Sequence, residues 1–165
     1  MPKLEFFFDY SCPYCLKGYN LLLELLPDFP GLEVEWFPCE AHPRPETYGK
    51  HSDLCARGMY IARELGVDVM AYHPILFETA LDGRSNIEDP IVIAEAVSSL
   101  IPGNALLDAL QKGKYQLELE ENNRLCWEEY DFPAVPSMRL DGRLLPAVPG
   151  VGLTKDGMRA FLEAK

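Results

Sequence analysis

Of the five cysteines in the chain, Cys12 and Cys15 form a C-x-x-C around Pro13 and Tyr14, whereas Cys39, Cys55 and Cys126 stand alone. Pro13 suits the first turn of a helix, where a missing N–H costs nothing. That places Cys12 at a helix N-terminus, whose unpartnered N–H groups carry partial positive charge and favour a thiolate. Cys12 is therefore the expected nucleophile of a thiol–disulfide exchange. Cys15, three residues on and first in an inward-facing stripe, is the expected resolving thiol, attacking Cys12 from within the chain. The competing reading is half a zinc site, but zinc wants four ligands, and the nearest second pair is Cys39-Glu40-Ala41-His42. The strand-to-helix context favours redox chemistry with no metal and no organic cofactor.

The elements that must position this pair follow from hydrophobic period and punctuation. Leu4 to Tyr10 reads as a buried strand rich in Phe, with Asp9 ending it, and a helix follows from Pro13 to about Pro27. Its apolar stripe is Cys15, Tyr19, Leu22 and Leu26. Leu32 to Phe37 alternates as a second strand. From about Cys39 to Phe132 the pattern is helical, broken at Gly66, Asp82-Gly83 and Pro102-Gly103, with Asp89-Pro90 as a helix start and Asn104 as a cap. Gln116 to Glu129 reads as one acidic, solvated helix. Ser137–Leu140 and Arg143–Leu145 flank Asp141-Gly142, a two-residue hairpin turn. Thr154 caps a last helix through Lys165, with Met158, Phe161 and Leu162 on its apolar face. The expected fold is α/β and thioredoxin-like, with residues 1–38 and 133–165 as one domain and 39–132 as an all-helical insertion.

Composition narrows the function classes. With 26 acidic against 15 basic residues the net charge is −11, which repels phosphate backbones and anionic lipid, so neither nucleic acid nor membrane is an expected partner. No apolar run approaches the roughly 18 to 20 residues of a membrane span. The opening Met1-Pro2-Lys3 runs straight into Leu4-Glu5-Phe6, unlike a secretory signal, and a cytoplasmic location is expected. The lone cysteines read as buried hydrophobes. His42, His51 and His73 show neither metal spacing nor a hydrolytic triad. Tyr14 reads equally as a stacking surface for substrate and as a cover for the hydrophobic rim.

Phe7-Phe8-Asp9-Tyr10-Ser11-Cys12-Pro13-Tyr14-Cys15 after a first strand, then a helical insertion, then Ala134-Val135-Pro136 before a hairpin, resembles the DsbA family of thioredoxin-fold thiol-disulfide oxidoreductases. His73-Pro74-Ile75-Leu76-Phe77, Gly83-Arg84, Ile87 and Asp89-Pro90 resemble the inserted domain of its cytoplasmic FrnE-like branch, which lies close to the 2-hydroxychromene-2-carboxylate isomerases. The resemblance implies that Cys12 attacks and Cys15 resolves. It also implies that Pro136 is a cis-proline and that Val135 lines the substrate groove with its backbone, beside Pro13 and Tyr14. Its substrates would be disulfide- or thiol-containing proteins or peptides, and glutathione or a thioredoxin-type reductant would restore the pair. Pro13-Tyr14 between the cysteines occurs in many glutaredoxins, whereas strongly oxidising members carry a histidine in the second place. Two other readings stay open: a glutathione-dependent isomerase or transferase, which would typically lack Cys15, and a binding or chaperone module with silent thiols.

Overall fold

The computed structural model describes residues 2–164. Strand β1 (Lys3–Phe8) leads into helix α1 (Pro13–Leu25), and strand β2 (Glu33–Pro38) returns parallel to β1. Five helices follow: α2 (Asp53–Glu64), α3 (Val69–Leu81), α4 (Pro90–Ala96), α5 (Gly103–Gln111) and α6 (Gln116–Asn123). Helix α6 runs into a π-helical turn, Arg124–Glu129, and the chain ends with strands β3 (Ser137–Leu140) and β4 (Arg143–Leu145) and helix α7 (Lys155–Glu163). The sheet has four strands in the order β2-β1-β3-β4, with β3 antiparallel to both β1 and β4. The expected end of the last helix, Lys165, lies outside the described residues, as does Met1.

The run of phenylalanines in β1 reflects a strand covered on both faces. Phe7 stacks on Phe37 of β2 at 4.8 Å and meets Phe132 at 5.5 Å. On the opposite face Phe6 and Phe8 pack against Trp36, and Phe8 also meets Phe77 of α3. One continuous hydrophobic cluster joins the sheet, α1, α7 and the helices between β2 and β3. Among the described residues no helix is long and apolar enough to cross a membrane.

Local signals act where the sequence placed them. Asp89 caps α4 by accepting from the Ile91 N–H, and Thr154 caps α7 by accepting from the Gly157 N–H. Asp141 and Gly142 both take positive φ, as a tight hairpin turn requires.

Three expectations are corrected. The buried stripe of α1 closes on Leu25 rather than Leu26, because the helix tightens into a 3-10 turn at Leu26–Asp28. Asn104 does not cap α5, which already begins at Gly103, after Pro102. The acidic helix 116–129 changes pitch at Arg124, where the Tyr130 N–H bonds back to Leu125 O at 2.9 Å and the Phe132 N–H to Cys126 O at 3.0 Å. π turns are uncommon and recur near functional sites.

Candidate active site

The site is assembled where β1 ends. Cys12 is the N-cap of α1, and its carbonyl accepts from the N–H groups of Cys15 and Leu16 at 3.0 and 3.2 Å. Cys12 is part exposed, whereas Cys15 is fully buried on the inner face of the first turn. Their acidities diverge accordingly. The Cys12 thiol is held below its ordinary range chiefly by a hydrogen bond from the Cys15 thiol, aided by the backbone N–H groups of Cys15 and Tyr14 and opposed by burial and by the Asp9 carboxylate. Burial pushes Cys15 far upward, and the Cys12 thiolate adds to that push.

Asp9 does more than end a strand. One carboxylate oxygen accepts from the Ser11 N–H at 2.8 Å and the Ser11 hydroxyl at 2.7 Å, and the other accepts from the Ala41 N–H at 2.8 Å. Its backbone N–H donates to Cys15 Sγ at 3.3 Å, and its carbonyl accepts from the Cys12 N–H at 3.1 Å. Asp9 thus ties the cysteine turn to the chain leaving β2.

Across the site the Cys12 thiol lies 3.8 Å from the carbonyl oxygen of Val135, and the Val135–Pro136 peptide bond is cis. The ring of Pro136 abuts Gly18 of α1, the one position in that helix with no side chain to obstruct it. Tyr14 is 42% exposed and packs beside Gly152. Cys12, Tyr14 and Val135 line one apolar groove of about 570 Å³, whereas Pro13 lies at the exposed start of α1, outside the groove lining. The structure therefore brings together four expected residues, Cys12, Cys15, Tyr14 and Val135, with Pro136 packed directly behind them.

The residues of the groove's far wall were not singled out in the sequence. The wall comes from Ala41, Pro43, Glu46 and Trp127, with Pro133 and Pro149 at its sides. Trp127 is fixed by its Nε1–H, which donates to Glu40 O at 2.9 Å. The π turn delivers this contact, and no periodicity in the acidic run announces it. Glu40 itself is buried, with its carboxyl beside Asn123 Nδ2 at 3.2 Å, and burial pushes its pKa up to about 7.

Among the described residues no cluster of three or more His, Cys, Asp or Glu is placed to hold a metal ion. Cys39 faces the core, its thiol donating to Phe8 O, while His42 sits beside Glu46 at 3.5 Å, so the C-x-x-H segment does not converge on Cys12 and Cys15. His73 is wholly buried against Trp36, its Nδ1 hydrogen-bonded to the Tyr10 hydroxyl at 2.8 Å, and burial lowers its pKa to about 3.

Comparison with solved structures gives the same architecture. A thioredoxin-like oxidoreductase from Silicibacter pomeroyi superposes with a TM-score of 0.70 at 19% identity, covering 99% of this chain and 88% of that one. DsbA of Pseudomonas aeruginosa gives 0.74 at 15% identity, covering 98% and 80%. The fold is the thioredoxin-like fold of DsbA proteins. The MdbA thiol-disulfide oxidoreductase of Actinomyces oris shares this DsbA-like fold, with a TM-score of 0.68 at 16% identity over 99% of this chain and 81% of that one. In sequence, the uncharacterised protein YwbO of Bacillus subtilis is 22% identical over 183 aligned positions, 89% of this chain and 90% of that protein. No family model matches the chain.

Proposed function

We propose that this DsbA-like chain is a thiol–disulfide oxidoreductase acting on proteins or peptides, with Cys12 as nucleophile and Cys15 as resolving thiol. The observation that carries the reading is the asymmetry of the pair: an acidified, part-exposed thiol one helical turn from a fully buried thiol of raised pKa. In the reductive direction the Cys12 thiolate attacks a substrate disulfide and expels one substrate sulfur as thiolate. The Cys15 sulfur then attacks Cys12, closing the Cys12–Cys15 disulfide and releasing the second substrate sulfur, while the Cys15 proton passes to a departing thiolate. Two glutathione molecules or a thioredoxin-type dithiol return two electrons and two protons. Run backwards, the same steps oxidise a substrate.

Val135, ahead of the cis Pro136, is the backbone edge against which an extended substrate segment lies, with Tyr14 on the rim it crosses and Pro13 exposed just outside the lining. Residues 39–132 act as an insertion on a thioredoxin-like unit of 1–38 and 133–165, and Ala41, Pro43, Glu46 and Trp127 give that insertion one wall of the groove. A reducing, cytoplasmic setting suits three further buried thiols that no disulfide engages.

The test is to equilibrate the protein in graded glutathione buffers, trap thiols by alkylation and map them by mass. A reversible Cys12–Cys15 disulfide is expected, together with a stable Cys12 mixed disulfide in Cys15→Ser and none in Cys12→Ser. If no Cys12–Cys15 disulfide forms at any poise, the dithiol mechanism is wrong.

A further inference from the structure

We propose that Cys39 is a positioning residue for the resolving step, its thiol acting on Cys15 through the single peptide unit that joins Phe8 to Asp9. The proposal rests on the oxidoreductase reading above and adds a residue to it. The carbonyl end of that peptide, Phe8 O, accepts both the Cys39 N–H at 2.7 Å and the Cys39 thiol at 3.4 Å, which fills its two acceptor positions. The amide end, Asp9 N–H, donates to Cys15 Sγ at 3.3 Å. Donors on a carbonyl oxygen polarise the peptide and make its N–H a stronger donor, an effect that grows where water is excluded. Phe8, Cys15 and Cys39 are each no more than 1% exposed. All the hydrogens therefore point one way, from Cys39 toward the sulfur of Cys15.

The direction matters because Cys15 has little else to help it ionise. Burial, the Cys12 thiolate and the Asp9 carboxylate all oppose its charge, and the Asp9 N–H favours it. In the mixed disulfide Cys12 carries no charge. At the moment of resolution burial and the Asp9 carboxylate still oppose the charge, and the Asp9 N–H favours it. Cys15 loses its proton, its sulfur bonds to Cys12, the substrate–Cys12 bond breaks, and the substrate sulfur leaves as a thiolate that takes up a proton. Electrons and protons balance with no further reagent.

The experiment uses the full-length protein and three variants: Cys39→Ala, Cys39→Ser, which keeps a donor in place, and Cys55→Ala, a buried cysteine off this chain. Two quantities are read: the Asp9 amide proton shift in the reduced protein by 15N NMR, and the pH-dependent resolution rate of a mixed disulfide preformed between Cys12 and thionitrobenzoate. Cys39→Ala is expected to move the Asp9 proton upfield, to slow resolution by roughly two- to tenfold and to shift its pH profile upward. Cys39→Ser restores both readouts, Cys55→Ala changes neither, and alkylation of Cys12 proceeds alike in all. An unchanged Asp9 proton and resolution profile in Cys39→Ala, or a serine that fails to restore them, overturns the role of Cys39. If the wild-type mixed disulfide never resolves, the oxidoreductase reading fails instead, and the Asp9 shift still decides whether Cys39 acts through the peptide.

Discussion

Gly18→Ala is the substitution that probes how tightly helix α1 is pressed onto the loop facing Cys12. A Cβ built at Gly18 lies 2.7 Å from Cγ and 3.4 Å from Cβ of Pro136. Comfortable carbon contacts begin near about 3.5 Å, so the helix and the proline must part by roughly 0.8 Å. Neither is free to yield cheaply: the proline is a ring buried at the mouth of β3, and α1 is seated by Cys15, Tyr19, Leu22 and Leu25. Overpacking of this kind costs about 1–3 kcal/mol, while replacing a helical glycine by alanine returns about 1 kcal/mol. The expected net effect is a loss of up to about 2 kcal/mol, read as a lower urea midpoint at unchanged slope. The larger effect is kinetic. Val135 O sits 3.8 Å from Cys12 Sγ, and under the proposed function Val135 positions the substrate, where a misplacement near an ångström can cost about a hundredfold. Reduction of a peptide disulfide should therefore slow by roughly ten- to a hundredfold. Gly103→Ala, at the open first position of α5, serves as control and should leave the exchange rate unchanged and the stability equal to wild type or higher by up to about 1 kcal/mol. If Gly18→Ala proved about 1 kcal/mol more stable than wild type and kept the full exchange rate, the close packing of α1 on Pro136 would have no part in holding the site.

Other expectations follow from the same geometry. Cys15→Ala removes the hydrogen bond that contributes most to the acidity of Cys12, so the pH midpoint for alkylation of Cys12 should rise; an unchanged midpoint would shift the cause to the helix N-terminus. Asp9→Asn keeps one acceptor oxygen but turns an amide donor toward either Ser11 or the Ala41 N–H, and should cost about 1–3 kcal/mol in urea unfolding. His73, at about 3 when folded against 6.5 unfolded, leaves a proton on the unfolded chain alone as pH falls from 6.5, so stability drops by about 1.4 kcal/mol per unit on acidification. Glu40, at about 7 folded against 4.5 unfolded, keeps its proton longer in the folded chain, so stability drops by a similar amount per unit as pH rises from 4.5 to 7. The two slopes oppose each other between pH 4.5 and 6.5: Glu40→Gln should leave stability rising with pH there and His73→Gln should leave it falling, as urea midpoints at pH 4.5, 5.5 and 6.5 would record.

Much of the fold was legible because its signals are local. A C-x-x-C with proline inside it, Asp89 before Pro90, Thr154 before α7 and Asp141-Gly142 between strands each specify backbone within a few residues, and each acts in place. The strand β1 was legible from its phenylalanines, since only a strand covered on both faces hides them all. What escaped depends on partners far away in the chain. Period alone does not separate an α turn from a π turn at Arg124–Glu129, and the added residue per turn is stabilised by seating Trp127 on Glu40, 87 positions earlier. The same distance hid the far wall of the groove, since Ala41, Pro43 and Glu46 lie in a segment without regular secondary structure. Cys39 read as an inert small hydrophobe, and its burial agrees, but its hydrogen bond to Phe8 O is a property of the β1–β2 pairing and not of its neighbours in sequence.

The end of β1 explains why an acid stands beside a thiolate that it disfavours. The Asp9 carboxylate raises the pKa of both Cys12 and Cys15, and on electrostatics alone a neutral residue would leave the Cys12 thiol more acidic. Yet its backbone and side-chain groups are all engaged: Ser11 and Ala41 on the carboxylate, Cys12 on the carbonyl and Cys15 on the N–H. A buried carboxylate that accepts several hydrogen bonds orders more chain than a neutral acceptor can, because both of its oxygens take donors. The position of Cys12, the donor to Cys15 and the start of the groove wall at Ala41 are thus fixed by one residue. The acidity lost to its charge is offset by the Cys15 thiol and the first N–H groups of α1, which act directly on the Cys12 sulfur. A site built this way sets its geometry with an anion and its reactivity with helix and thiol donors, so the two can be perturbed separately: Asp9 substitutions should disturb placement first, and Cys15 substitutions acidity first.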